Sequence, residues 1–129
     1  MTVVGIGLDL VDLQRFARLY APDDLDVLTR CFTSNELTAV GDGEDATARL
    51  AARFAAKEAV LKVLGGLKDG IALTDIEIVS RAGGAPTVHL YGGADSKAVE
   101  LNITSWHISL THGDTSAAAV AIGLSAELL

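Results

Sequence analysis

Two carboxylates, Asp9 and Glu58, could together hold a divalent cation, because each stands in an otherwise largely apolar segment. Mg²⁺ in proteins usually takes one or two carboxylates, and waters and substrate phosphates complete its shell. Two structural alternatives stay open. Glu58 and Lys62 are four residues apart and could form a surface salt bridge, and Asp9 could cap a following helix.

The segment that carries Glu58 is predicted to be a buried helix over residues 50–64. Ala and Leu dominate it, no proline interrupts it, and it runs into Gly65 and Gly66. Its residues are apolar nearly all round, with Lys57 near the centre of one apolar stripe and Glu58 at the edge. Charges on such an interior helix are seldom buried unless they are paired or bind something.

The segment that carries Asp9 is predicted to be a strand over residues 2–10. Alternation places apolar side chains on one face, and Gly5, Gly7 and Asp9 on the other. Glycines in a strand often mark the close approach of another backbone or a ligand. Asp9 is therefore expected to project into open space beside the helix.

Composition indicates one compact domain over residues 1–129 that is intracellular. The net charge of -7 argues against a nucleic-acid surface, which would be basic. No apolar run reaches the ~18 residues of a membrane span, so no membrane is expected. The single cysteine, Cys31, has no partner for an internal disulfide, which fits a cytoplasmic protein.

The order of predicted elements is that of an α+β fold. This order predicts an antiparallel sheet with helices on one face. The acidic run at 41–45 is predicted to be a polar loop, because it lacks the ligand spacing of a calcium site. Helices are predicted at 13–20, ending before Pro22, at 24–31, from 34, at 50–64 and at 94–101. Strands are predicted at 2–10, 71–80, 87–91, 104–111 and 117–123.

Three blocks of sequence resemble one enzyme family. They are GIGLDL at residues 5–10, RFAAKEA at 53–59 followed by Lys62, and ISLTH at 108–112. In order and spacing they resemble holo-[acyl-carrier-protein] synthase, the small type of 4′-phosphopantetheinyl transferase. Residues 32–37 also resemble the F-T-x-x-E-L segment of that family.

The resemblance implies transfer of the 4′-phosphopantetheine of coenzyme A to a serine of an apo acyl carrier protein or carrier domain, as in fatty acid synthesis. Adenosine 3′,5′-bisphosphate would be released and Mg²⁺ required, with Asp9 and Glu58 as the metal ligands. Lys62 would bind a phosphate oxygen. Glu58, directly or through a water, could accept the serine proton. His112 would lie beside the coenzyme, where it could bind phosphate or assist proton transfer; the pattern alone also permits a structural role.

Further coenzyme contacts are expected from four residues. Arg53 and Lys57 are candidates, although one of them could instead pair with Glu58 or with the sheet. Gly84 and Pro86 belong to a turn at 83–86 that resembles the family's N-G-x-P turn near the adenine, with Gly83 in place of the usual polar residue.

Partner binding needs local positive charge, because a chain of net charge -7 repels the anionic coenzyme and carrier protein. Arg15 and Arg18 lie one turn apart on the helix after Asp9. By resemblance they dock the carrier protein, and otherwise they are ordinary surface arginines. The resemblance also implies a homotrimer with sites at the subunit interfaces.

Two other functions use the same residues. A non-catalytic oligomeric module would bind coenzyme A or a nucleotide without transfer activity. A metal-dependent phosphohydrolase would use water as the acceptor and would consume coenzyme A without a carrier protein.

Overall fold

The computed structural model describes residues 1–20, 24–67, 70–81 and 84–127. Pro22, the predicted stop of the first helix, lies outside these ranges. The helices are α1 (Leu13–Leu19), α2 (Leu25–Cys31), α3 (Ser34–Val40), α4 (Ala46–Leu64) and α5 (Gly92–Glu100). The strands are β1 (Thr2–Asp12), β2 (Ile76–Val79), β3 (Thr87–Leu90), β4 (Ser105–His112) and β5 (Ser116–Ser125).

The strands divide between two antiparallel sheets. One sheet has the order β1-β5-β4, and the other pairs β2 with β3. The α+β class and the antiparallel pairing are confirmed, whereas the prediction of a single sheet is wrong. Periodicity identifies strands but does not determine which of them pair, so it could not reveal this division.

Helix α4 packs against β1 and β5 and lies in the main core. Its alanines at 51, 55, 56 and 59 are fully buried, which fits the predicted interior helix. The helix begins at Ala46, four residues earlier than predicted.

A glycine on β1 permits the close approach of α4. A Cβ at Gly7 would lie 1.9 Å from the carbonyl oxygen of Ala59, which no side chain could tolerate. At Gly5 a Cβ would lie 3.2 Å from Cγ1 of Val63. The close backbone approach predicted from the glycines is therefore present, and it brings α4 beside the face of β1 that carries Asp9.

The predicted strand at 71–80 is shorter in the structure. A 3-10 turn, Leu73–Asp75, precedes β2, and the Asp75 carboxylate accepts a hydrogen bond from the Ala72 N–H at 3.0 Å. Asp side chains compete with strand pairing by such local bonds. Beyond α4 and this strand, the other predicted elements match those observed to within two residues at each end.

Candidate active site

Asp9 and Glu58 line one cavity of about 490 Å³, which we name the carboxylate cavity. β1 supplies Asp9, and α4 supplies Glu58. Because the Cα of Asp9 pairs with that of Ala119 on β5, the strand position of Asp9 is held by the sheet. The two carboxylates that the sequence predicted to converge therefore lie in the same cavity.

Lys62 of α4 binds two groups of β1, one of which is the Asp9 carboxylate. Its Nζ donates to the Leu8 carbonyl oxygen at 2.7 Å and to Oδ1 of Asp9 at 3.1 Å. Lys62 thus pairs with Asp9 and not with Glu58, its neighbour one helical turn away. Capping of α1 is performed by Asp12, whose carboxylate accepts from the Arg15 N–H at 2.8 Å, so Asp9 has no capping role.

The electrostatics of Glu58 reflect its position in the cavity. Burial raises the pKa of Glu58, the negative charge of Asp9 raises it further, and Lys62 opposes both effects. Two neighbouring carboxylates repel each other, and a bound cation would relieve this repulsion.

An aromatic wall closes one side of the carboxylate cavity. Phe16, Tyr20 and Phe54 line it, and the Tyr20 ring centroid lies 5.0 Å from that of Phe16 and 5.1 Å from that of Phe54. Arg15 lines the same cavity. Arg18 is exposed in the last turn of α1. The cavity thus combines anionic, apolar and cationic walls.

Arg53, Pro86 and His112 line a second cleft of about 390 Å³, which we name the histidine cleft. The Arg53 guanidinium donates to Oγ of Ser80 at 3.1 Å and to the Arg49 carbonyl oxygen at 3.3 Å. Its Nε is buried and has no partner among the described residues, and burial lowers the pKa of the side chain. A buried, unpaired donor is a place where a bound acceptor would be stabilised.

Gly84 does not line the histidine cleft. It is exposed, and its N–H donates to the Arg81 carbonyl oxygen at 3.0 Å. Gly83 lies outside the described residues. Of the two turn residues predicted to contact the coenzyme, Pro86 lines this cleft with Arg53 and His112, and its neighbour Ala85 does so too.

The two clefts are separate within one chain, since they share no lining residue. Arg53 and Glu58 are five residues apart on α4, which turns their side chains roughly 140° from each other. In a single copy, Arg53, Pro86 and His112, which were predicted to bind the coenzyme, therefore lie in a different cleft from the predicted metal ligands Asp9 and Glu58.

Lys57 lies in neither cleft. Its side chain is 0 % exposed, and its ammonium pairs with the Glu36 carboxylate in the interior. The predicted coenzyme contact of Lys57 would require this pair to break. Its partner is Glu36 of α3, and so is neither Glu58 nor a residue of the sheet, which were the open alternatives.

Glu36 is a residue that sequence reasoning did not assign to the site. It is 1 % exposed, and it closes a capping box with Thr33 at the start of α3. The sequence did contain a signal for this capping role, because Thr33 and Glu36 in the segment at 32–37 have the spacing of a capping box. Its ion pair with α4 was not visible, because its partner is 21 residues away along the chain.

Among the described residues, no group of three or more His, Cys, Asp or Glu side chains could hold a metal ion. Asp9 and Glu58 are thus a two-carboxylate set, which fits a magnesium ion that takes its other ligands from water and phosphate. Within the same ranges, no helix is long and apolar enough to cross a membrane.

Comparison with known proteins identifies the class and then the family. Residues 5–121 match the family model of the 4′-phosphopantetheinyl transferase superfamily. The holo-[acyl-carrier-protein] synthase of Frankia casuarinae is 43% identical over 122 residues, covering 95% of this chain and 98% of the relative. The chain therefore belongs to the 4′-phosphopantetheinyl transferase superfamily and, within it, to the holo-[acyl-carrier-protein] synthases.

Solved structures agree. The holo-[acyl-carrier-protein] synthase of Neisseria meningitidis is 31% identical with a TM-score of 0.82, covering 96% of this chain and 100% of that one. The Helicobacter pylori enzyme, solved in complex with coenzyme A, is 27% identical with a TM-score of 0.80 and covers 93% and 100%. These matches confirm the predicted family, fold and enzyme class.

Proposed function

We propose that the chain transfers 4′-phosphopantetheine from coenzyme A to a serine of an apo acyl carrier protein, giving holo-protein and adenosine 3′,5′-bisphosphate. The observation that carries this proposal is the meeting of Asp9 and Glu58 in one cavity, with Lys62 paired to Asp9, in a chain that belongs to this superfamily. A relative of the same fold has been solved with coenzyme A bound.

The reaction is the attack of a serine hydroxyl on the β-phosphorus of the pyrophosphate. Asp9 and Glu58 would hold Mg²⁺, which when bound neutralises and orients the pyrophosphate oxygens. Lys62 is 53% exposed at its side chain, so its ammonium can turn to a phosphate oxygen. A new O–P bond forms as the bond to the bisphosphate leaving group breaks. Glu58, directly or through a water, would accept the serine proton.

The coenzyme would lie between two copies of the chain, as part of a homotrimer of single-domain subunits. The separation of the carboxylate cavity from the histidine cleft supports this arrangement, because Arg53, Pro86 and His112 of a neighbouring copy could complete the site. A second support is the outer face of β1, where Ile6, Leu8 and Leu10 are each at least 65% exposed. Exposed apolar rows of this kind mark contact surfaces.

The carrier protein would dock on α1. Arg15 lines the carboxylate cavity, and Arg18 lies one turn further along the same helix. Arg15→Glu is expected to raise the KM for the carrier protein by roughly tenfold and to leave the KM for coenzyme A nearly unchanged, because rim charges act mainly on association with the charged partner. An equal rise in both constants would contradict the docking role.

The unpaired thiol of Cys31 is buried, which supports a place in the reducing cytoplasm, where fatty acid synthesis would supply the acceptor. We propose this location together with the reaction.

Intact-mass spectrometry tests the proposal. An apo acyl carrier protein is incubated with the chain, coenzyme A and Mg²⁺, beside controls with EDTA and without enzyme. We expect a mass gain of one phosphopantetheine unit that EDTA prevents. Binding of coenzyme A with no gain on several fatty-acid and polyketide carriers would favour the non-catalytic module. Loss of coenzyme A without a carrier would favour the phosphohydrolase.

A further inference from the structure

A buried polar cluster includes Lys57, the residue that precedes Glu58 on α4. Its centre is the ion pair between Lys57 and Glu36, both of which are almost completely excluded from solvent. The Lys57 ammonium also lies 5.3 Å from the centroid of the Phe32 ring, within the range of a cation–π contact. Burial lowers the pKa of Lys57, and the Glu36 carboxylate opposes that shift. Such a pair is retained only where its partners satisfy it well.

Glu36 is itself held by backbone groups from two elements. Oε2 accepts from the Ile78 N–H of β2 at 2.9 Å, and Oε1 accepts from the Thr33 N–H at 2.9 Å. The carboxylate therefore has little freedom, and it fixes the position of the ammonium of Lys57. Through this connection α4 is tied to α3 and β2 at residue 57.

A second anchor holds α4 at residue 59. There the Ala59 carbonyl oxygen occupies the space that a Cβ on Gly7 would need, so helix and strand touch backbone to backbone. Glu58 stands between the two anchors. Its neighbours on either side point about 100° away from it around the helix. One anchor alone would restrain α4 at one point; two anchors on different sides also restrain its rotation.

We propose that Glu36, through its buried ion pair with Lys57, is a positioning residue that sets where Glu58 stands relative to Asp9. This inference rests on the proposed function, since it concerns the metal site that Asp9 and Glu58 would form. It gives Lys57 a role that needs no contact with coenzyme A. It also gives the segment at 32–37 a part in the reaction, although none of its residues lines the carboxylate cavity.

The test measures metal binding separately from stability. The variants are Glu36→Gln and the double variant Glu36→Gln with Lys57→Met, which removes both charges and leaves neither one buried alone. Glu36→Asp, which keeps the charge but shortens the side chain, serves if the neutral variants do not fold. Mn²⁺ binding in the presence of coenzyme A is followed by the loss of the free-ion EPR signal, and urea unfolding reports stability.

Glu77→Gln is the matched control. Glu77 is a buried acid of the same cluster, but its carboxylate accepts from Thr33, Asn35 and Tyr91 and makes no hydrogen bond to α4. Its loss should lower stability without moving Glu58.

We expect the Glu36 variants to bind Mn²⁺ roughly tenfold more weakly than wild type, the size of effect seen when a supporting partner of a metal ligand is lost. Glu77→Gln should bind it as wild type does. If the double variant unfolds at lower urea but binds Mn²⁺ within about twofold of wild type, the pair is structural only and the inference is overturned. If wild type itself binds no Mn²⁺ in the presence of coenzyme A, the result contradicts the metal site of the proposed function. The inference about Glu36 is then overturned as well, because it depends on that site.

Discussion

Lys57 and Glu58 are adjacent on α4, yet one lies in the interior and the other lines a cavity. The Lys57 ammonium is enclosed and has the Glu36 carboxylate as its partner. Glu58 faces a second acid, Asp9, and burial raises its pKa. A buried charge that is paired with an opposite charge, such as Lys57, helps to hold the fold together. A carboxylate beside a second carboxylate, such as Glu58, would be stabilised by binding a cation. The contrast teaches that two adjacent charges on one helix can differ in both burial and partner, and that the charge left beside a like charge is the one we propose to bind the metal.

The largest expected effect is on the functional side of this contrast. Glu58→Ala or Asp9→Ala should lower the transfer rate by on the order of 10³-fold or more, because each would remove a ligand of the proposed Mg²⁺, which would neutralise the pyrophosphate. Stability should not fall for Glu58→Ala at pH 7, since the raised pKa means that folding disfavours the ionised carboxylate. Single-turnover mass spectrometry and urea unfolding give the two measurements. Wild-type rates in either variant would defeat the mechanism.

Substitutions at the buried ion pair should instead act mainly on the free energy of unfolding. Lys57→Met leaves Glu36 buried without its counter-ion and should lower the free energy of unfolding by roughly 3–5 kcal/mol. Lys62→Met removes the exposed partner of Asp9 and should cost only about 0–1 kcal/mol. Urea denaturation of both variants compares a buried pair with an exposed one. Similar losses in the two would contradict the contrast.

The contact between α4 and β1 affects both the stability of the fold and the position of Glu58 beside Asp9. Gly7→Ala places a Cβ against the Ala59 carbonyl oxygen and should cost about 1–3 kcal/mol as the helix moves away. Transfer should fall too, because that movement separates Glu58 from Asp9. Gly5→Ala is the control, since its Cβ meets only the Val63 side chain and should be tolerated better. Equal melting temperatures for the two variants would argue against the close contact.

The smallest expected effect concerns pH. The hydrogen bond from Thr33, opposed by burial and aided by Tyr91 and Asn35, lowers the pKa of Glu77. The ionised carboxylate therefore stabilises the fold above the ordinary glutamate pKa of about 4.3, and this contribution is lost as the pH falls through the lowered value. The stability difference between wild type and Glu77→Gln should shrink over that range. Urea midpoints from pH 7 to pH 3 measure it, and a constant difference would contradict the assignment.

The sequence by itself determined most of the elements and predicted that Asp9 and Glu58 converge. Alternation placed Gly5, Gly7 and Asp9 on one face of β1, and composition identified α4 as an interior helix, because strand and helix periods are local properties. These two elements were enough to bring Asp9 and Glu58 together. The motif blocks then indicated the family that the comparisons confirm.

Only the tertiary structure decided which charges are partners. Lys62 could have paired with Glu58 one turn away, but it pairs with Asp9, which lies 53 residues earlier. Lys57 pairs with Glu36 of α3. The strands form two sheets, and Arg53 and His112 lie together in a cleft that does not include Glu58. Each outcome depends on which distant segments pack against each other, and a local pattern carries no record of that packing.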